Sequence, residues 1–454
     1  MQQGDGNGKP LNDMRSFFIV WAGQVFSLLG SAMSRFALTI WAYQVTGQAT
    51  ALTTMAFFAF GPEVFMSPFA GALVDRWNRK FTMALADIAT GVSTLAMLVL
   101  LLLGNLQIWH VYIAVAFAGF FTSFQWPAYA ASITLMVPKT QYARASAMIS
   151  LAESGTGILA PLLAASLIGI IGVAGIFGLD ILTLLLALGA LLIARIPQPR
   201  QSEEGKKARG SFLKESFFGF KYIFTRPSFL GLQTVFLLGN MLSGIAGILL
   251  SPMILAKTGQ NATILGATES IGGLGGVLGG LVLSLWGGPK KKTHGVFLGW
   301  ALSSLFGFFL IGIGGNFFWW AVGSFIGTFI SPLINASNQA IWQSKVPPDI
   351  QGKVFSIRRL IAQVVAPISM LVAGPLADKV FEPLMINQSL TSPLGRIFGN
   401  GPGAGMSFLI ALMGLLVALV GFGAYLFPAI RNVEKIIPDH DAQMVIEPEK
   451  EPVS

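Results

Sequence analysis

Gly71-Ala72-Leu73-Val74-Asp75-Arg76-Trp77-Asn78-Arg79-Lys80 is the stretch on which the reading of this chain turns. It is a short charged loop between two apolar runs, 52–74 and 81–103. Each run is long enough to cross a hydrocarbon core of roughly 30 Å. A pair of such runs joined by a few charged residues reads as a helical hairpin that crosses a membrane and returns.

Working outward, the same pattern recurs along all 454 residues. Twelve spans are expected, at 16–43, 52–74, 81–103, 108–136, 144–169, 174–195, 229–255, 262–286, 294–314, 317–344, 353–378 and 405–428. Backbone groups in lipid need internal partners, so the spans read as helices. Barrel strands would alternate in polarity instead. Composition agrees: 54% of residues are hydrophobic and only 11% charged, whereas soluble domains carry about 25% charged residues. Residues 1–13 are polar and Gly-rich, and no cleavable signal pattern is read at the start. The fold class is therefore all-α integral membrane.

With the N-terminus assigned to the cytoplasm, 25 of the 29 Lys and Arg fall on that side. Only Lys257, Lys379 and Arg396 fall outside, and Arg35 lies within a span. The positive-inside rule then places both termini in the cytoplasm of a cell membrane. This bias also accounts for the net charge of +9. A lipid bilayer is the expected partner, and nucleic acid is not.

The two halves match at an offset of 209 residues. Gln24, Leu28, Leu29, Gly30 and Ser34 meet Gln233, Leu237, Leu238, Gly239 and Ser243. Gly71 and Trp77 meet Gly280 and Trp286, and Val137-Pro138 meets Val346-Pro347. Two related six-helix bundles follow, with a substrate site between them near the midplane, reached alternately from either side. The expected organisation is a tail at 1–15, a first bundle at 16–197, a cytoplasmic linker at 198–228, a second bundle at 229–434 and a disordered tail at 435–454. The linker becomes amphipathic between Phe212 and Phe224, which suits a helix on the inner leaflet. Residues 380–404 read as an external loop.

The stretch 71–80 resembles the signature loop of the major facilitator superfamily, Gly-x-Leu-Ala-Asp-Arg-x-Gly-Arg-Lys. Asp75 lies at a helix C-terminus, where an acid is unfavourable to the helix's own dipole and needs a partner from elsewhere. The resemblance implies a cytoplasmic gate built on Gly71, Asp75, Arg76, Arg79 and Lys80, with Asp75 docking near the eleventh span. Asn78 stands where the family has glycine, and Asn tolerates left-handed backbone. Asp87, near the cytoplasmic end of the third span, is expected to join that gate. Trp21-Ala-Gly-Gln-Val-Phe-Ser27, Gln44-Val-Thr-Gly47 and Gly352-Lys-Val-Phe-Ser356 are similar to the macrolide-efflux branch. That likeness covers about 16–430 and implies proton-coupled drug export: a small hydrophobic substrate, protons from a gradient, no cofactor, and a monomer. Gly157-Ile-Leu-Ala160-Pro161 is a degraded form of the antiporter signature, and the fourth span lacks the arginine common in proton antiporters.

An ionisable residue inside a span is a functional candidate, because charge is costly there. Arg35 and Glu63 lie at similar depths, roughly 13 and 17 Å from the outer surface at 1.5 Å per residue, close enough for a salt bridge that is either structural or proton-linked. Glu153, Asp180 and Glu269 are further candidates to take a proton outside and release it inside; Asp180 reads more readily as a local pair or cap. For the cavity wall, the family's lining spans offer Gln24, Phe121, Phe124, Gln125, Trp126, Gln233, Asn240, Asn335, Asn338 and Gln339. Trp126-Pro127 and Ser331-Pro332 also read as kinks, and Gly272, Gly276 and Gly280 as a helix-packing face.

Other function classes find little support. There is no Walker loop for an ATP-driven pump. There is no HExxH or Gly-x-Ser-x-Gly for an intramembrane enzyme. The absence of cysteine removes disulfides and thiolate chemistry, and His110, His294 and His440 are too far apart in sequence to suggest a ligand cluster. Paired six-helix halves argue against a channel. Siderophore or metabolite export, import by symport, and lipid flipping remain as alternatives on the same fold.

Overall fold

The computed structural model describes residues 14–74, 77–194, 196, 219–387 and 391–439. It is helical, with no strand among the described residues. Spans 1 to 4 are Met14–Thr46, Ala49–Val74, Arg79–Leu102 and Ile108–Met136. Spans 5 and 6 form one helix, Tyr142–Ile193, of 52 residues. That is ~78 Å of helix, more than twice a bilayer's hydrocarbon thickness, so it must turn back. It does so at Gly172, where φ is +65° and ψ is −179°; a left-handed φ of this kind is open chiefly to glycine. Span 7 is Pro227–Ile248 continued by Leu250–Lys257, and span 8 is Ala262–Trp286. Span 9 is Lys292–Ile313, span 10 is Phe317–Lys345, and span 12 is Ala404–Leu426. Eleven described helices are long and apolar enough to cross a membrane, and the folded-back one counts twice. The twelve-span expectation holds.

Span 11 differs from its sequence-based bounds. It begins as Pro348–Leu376, passes through a π-helical turn at Ala377–Phe381 and ends with Glu382–Ile386. The following segment, expected as loop, also contains a short helix, Pro393–Phe398. The extension sets two acids one turn apart. Asp378 accepts hydrogen bonds from the backbone N–H groups of Ala49 (3.1 Å) and Thr50 (2.7 Å), at the start of span 2 in the other half. Glu382 accepts from Gly403 N and Met406 N at the start of span 12. Beside Asp378, Gly374 meets span 2 so closely that a Cβ on it would lie 2.5 Å from the Thr50 Cα.

Buried apolar residues explain which end of the molecule is shut. At this end one cluster runs through both halves. It joins Phe36 and Ile40 of span 1, Met55 of span 2 and Phe177 of span 6 to Leu249, Met253, Trp320 and Leu409 of the second half. Ser270 of span 8 donates to the Ile158 carbonyl of span 5 at 2.7 Å. Toward the other end, which bears most of the Lys and Arg, the buried apolar residues divide. Phe17, Met83, Phe124 and Leu191 belong to a cluster of the first half. Phe229, Trp300, Trp342 and Val354 belong to a cluster of the second. The halves are fused at one face, the sealed face, and separate toward the opposite, basic face.

At the basic face the loop 71–80 is partly visible. Asp75 and Arg76 lie outside the described residues. Arg79 Nη1 donates to the Ala131 carbonyl of span 4 at 2.6 Å. Lys80 Nζ donates to the Leu192 and Ala194 carbonyls at the end of span 6, where a cation complements the helix dipole. Asn78 is not left-handed; at φ −67° and ψ 116° it is the N-cap of span 3, accepting from Phe81 N. The linker's expected amphipathic helix falls mostly on undescribed residues, though 219–224 are helical. Of the tail expected to be disordered, residues 435–436 end a short helix, Val433–Ile436, and Asp439 pairs with the buried Lys345 at 2.8 Å.

The glycine run of span 8 packs as expected only in part: the Gly272 carbonyl accepts from Thr328 Oγ1 of span 10 at 2.6 Å. Its close approach to span 10 is made by Gly275, against Phe325, and Gly279, against Phe329. Gly280 meets nothing within 4 Å, and Gly272 and Gly276 border a cavity. The GxxxG register is therefore offset from 272, 276 and 280 to 275 and 279.

If Asp378 holds the sealed face, Asp378→Ala should weaken it by about 1–2 kcal/mol, the usual worth of a helix cap, close to a tenfold shift in population. The protein contains no cysteine, so a single Thr39→Cys beneath the seal reports directly. A membrane-impermeant thiol reagent applied at the sealed face should label it several-fold faster in the Asp378→Ala background.

Candidate functional site

Inside the first half, spans 1, 2, 3, 4 and 5 surround a cavity of about 220 Å³ bordered by Trp21, Gln24, Arg35, Glu63, Asp87, Gln125, Trp126, Tyr129 and Glu153. Toward the sealed face it continues into a space of about 420 Å³, which Arg35 and Glu63 also border, together with Asp180. A third space, of about 230 Å³, crosses between the halves: Arg35 of span 1 and Glu269 of span 8 both line it. Glu269 in turn borders a cavity of about 530 Å³ in the second half, among Asn240, Ser243, Trp300, Thr328 and Asn335. The five embedded ionisable residues expected from sequence thus gather around one series of spaces that joins the halves.

Their bonding differs from expectation. Among the described residues Arg35 and Glu63 form no ion pair within 4 Å. Arg35, Glu63 and Asp180 border one space toward the sealed face. Asp180 is nearly enclosed and fixed, accepting from Ser31 Oγ and Thr94 Oγ1 at 3.0 Å each. It ties spans 1, 3 and 6 together, which matches its reading as a local pair. Glu269 accepts from Ser251 Oγ at 3.0 Å, and Glu153 is exposed.

Asp87, expected with the gate residues, sits in the cavity wall. Gln24 Nε2 donates to one of its carboxylate oxygens at 3.1 Å and Gln125 Nε2 to the other at 2.5 Å. Gln125 also donates to Gln24 Oε1 at 3.3 Å. The side chain is 2% exposed. Three spans therefore meet on one carboxylate, and two glutamines foreseen as cavity residues are its partners. Buried carboxylates need such donors, because an unsatisfied charged group in a low-dielectric interior is costly.

The remaining cavity candidates sort by helix face. Asn240, Asn335 and Trp126 do line the cavities. Phe124 is buried and stacks on Trp77, with ring centroids 5.8 Å apart. Phe121 packs among Phe117 and Phe120. Gln233 is buried and donates to the Arg358 carbonyl, fastening span 7 to span 11. Asn338 accepts from Trp342 Nε1 on its own helix. Neither these four nor Gln339 borders the cavities described above.

A sequence profile of the Major Facilitator Superfamily matches residues 20–370. The chain belongs to that superfamily. It is a membrane transporter for small molecules, built on the superfamily's fold. It is similar to Macrolide efflux protein A of Streptococcus pyogenes, at 26% identity over 376 residues, covering 80% of this chain and 90% of the relative. A protein of the same name from Enterococcus faecalis is 26% identical over 336 residues, 71% of this chain and 100% of the relative. Among solved structures, the chain resembles an inward-facing, unoccupied bacterial homologue of the human lysosomal transporter Spinster, with TM-score 0.67, 14% identity and coverage of 92% and 98%. A POT family transporter in complex with 5-aminolevulinic acid gives TM-score 0.66 at 13% identity, with coverage of 94% and 97%. At these identities the structural likeness shows the fold.

Asp180 and Glu63 should separate experimentally. Asp180→Asn weakens bonds joining three spans and should lower the unfolding midpoint of the purified protein, by about 1–3 kcal/mol for a buried polar group left badly partnered. Glu63, for which the described residues supply no hydrogen bond, should tolerate Glu63→Gln with little change in thermal stability.

Proposed function

We propose that this transporter exports small hydrophobic compounds, macrolide-like drugs among them, from the cytoplasm in exchange for protons. The basic face is assigned to the cytoplasm of the cell membrane by the positive-inside rule, with both termini on that side and the monomer as the working unit. The fused, sealed face is then external, and the described conformation has its halves parted toward the cytoplasm. Export requires the same cavity to be presented outside, by rocking one half against the other.

The observation that supports this reading best is the chain of spaces from Gln24 to Asn335, which crosses both halves through Arg35 and Glu269. Its walls combine aromatic and apolar side chains with a few amides and carboxylates. That composition suits a largely apolar ligand oriented by a small number of polar contacts. The likeness to Macrolide efflux protein A favours efflux over uptake. The embedded charges offer proton sites, because each is costly to hold ionised within a span. Asp75 is assigned the cytoplasmic gate on the family pattern.

Proteoliposomes supply the test. A labelled macrolide should show counterflow, and a pH gradient should drive its concentration, while Asp75→Asn should slow transport without loss of the protein from the membrane. In an efflux-deficient cell, expression should lower macrolide accumulation several-fold. Counterflow of a siderophore or a lipid, with none of a macrolide, would overturn the substrate assignment.

A further inference from the structure

The Asp87 group has a feature the other embedded acids lack. Its carboxylate is enclosed, borders the cavity and is held by two neutral amides. Asp180 is held by hydroxyls that tie spans 1, 3 and 6 and shares its space with Arg35. Glu153 is exposed. An arginine or lysine partner stabilises only the ionised form of an acid. A glutamine carries both a donor and an acceptor on one side chain, so by turning over it can satisfy the acid in either state.

We propose that Asp87 is the exchangeable proton site of the transport cycle, and that Gln24 and Gln125 relay its protonation to the substrate cavity. This rests on the export reading given above. In the described arrangement both amides donate, as an ionised carboxylate requires. When a proton binds from the external side, the carboxyl gains one O–H, which donates to the Oε1 of one glutamine. Gln125 is the amide that must reverse: it gives up its bond to Gln24 Oε1, and its N–H2 turns toward the cavity. When the proton leaves to cavity water on the cytoplasmic side, the O–H is lost and the amide returns. One proton is taken up and one released per cycle, with no other bond made or broken.

The consequence for substrate is geometric. Gln24 and Gln125 border the same cavity as Trp21, Trp126 and Tyr129. In the ionised state Gln125 keeps its Oε1, which has no hydrogen bond among the described residues, for the cavity it borders; protonation replaces that acceptor with a donor. A ligand donor such as a hydroxyl or ammonium group would therefore bind the ionised state better, so ligand and proton compete for the carrier, as exchange requires. The other charged or titratable groups facing this cavity are Arg35 of span 1, Glu63 of span 2, Tyr129 of span 4 and Glu153 of span 5. Among the described residues none of them forms an ion pair or hydrogen bond with Asp87.

Infrared difference spectra between acidic and alkaline samples of the purified full-length protein read carboxyl protonation without any substrate. The wild type should show a titrating C=O band that is absent in Asp87→Asn and present in Glu63→Gln. Gln125→Leu removes one charge-assisted hydrogen bond, worth about 1.5–3 kcal/mol, and should move the titration midpoint by about one pH unit or more. That variant also serves if Asp87→Asn proves unstable. In proteoliposomes Asp87→Asn should lose at least tenfold in macrolide accumulation driven by a pH gradient. An unchanged spectrum in Asp87→Asn, an unmoved midpoint in Gln125→Leu, or full gradient-driven accumulation without Asp87 would overturn the assignment. Absence of macrolide counterflow in the wild type, with the Asp87 band present, would instead overturn the export reading.

Discussion

Two backbone N–H groups at the start of span 2, those of Ala49 and Thr50, find their partner in Asp378 of the opposite half. A helix leaves its first amides without partners in its own hydrogen-bond ladder. Ala49 is fully enclosed by protein, so solvent does not serve in their place. Span 2 thus has a need that the second half supplies, and the positive end of its dipole adds attraction for the carboxylate. Gly374, one turn before Asp378, lets the backbones meet closely enough for that bond. The apolar cluster that runs through both halves closes around the same junction.

The rest of the architecture follows from fusing two bundles at one end only. Each half keeps its own apolar cluster toward the basic face, so either can move as a body once the common cluster parts. The spaces between them cannot be filled by packing at the open end. Polar side chains that would be too costly in lipid gather around cavities within and between the halves: Arg35, Glu63, Asp87, Asp180 and Glu269. Some of these serve the fold and some face the cavity. Asp180 rests on hydroxyls that join spans 1, 3 and 6, and Asp87 on amides that join spans 1, 3 and 4 in the wall of the cavity.

Much of the fold was legible in the sequence, because hydropathy needs only length and composition. Even the fold-back at Gly172 fell in the gap expected between the fifth and sixth spans. The site was less legible, and the reason is geometric. A rise of 1.5 Å per residue gives a side chain's depth but not the direction it faces. Arg35 and Glu63 were expected at one level and do line the same two cavities, yet they form no ion pair. Phe124, Gln233 and Asn338 lie on the expected spans and point into packing. Asp87 was assigned to the gate from its position near a helix end, although its carboxylate meets Gln24 and Gln125. Asp378 gave no signal at all. It stands at the last residue assigned to its span, and its partners are backbone groups, which no side-chain pattern reveals.

Distances across the two faces test the central claim, that the halves are joined at the sealed face and hinge there. The native chain has no cysteine, so spin labels can be placed in pairs without removing background thiols. Gln48 with Asn387 reports the sealed face; Ser146 with Ser284 reports spans 5 and 8 at the basic face. In the resting protein, pulsed electron resonance should find a narrow, short distribution for the first pair and a longer, broader one for the second. Conditions that favour the opposite state should exchange the two patterns. If both pairs kept fixed distances under every condition, or if both lengthened together, the account of two rigid halves hinged at alternate faces would be wrong.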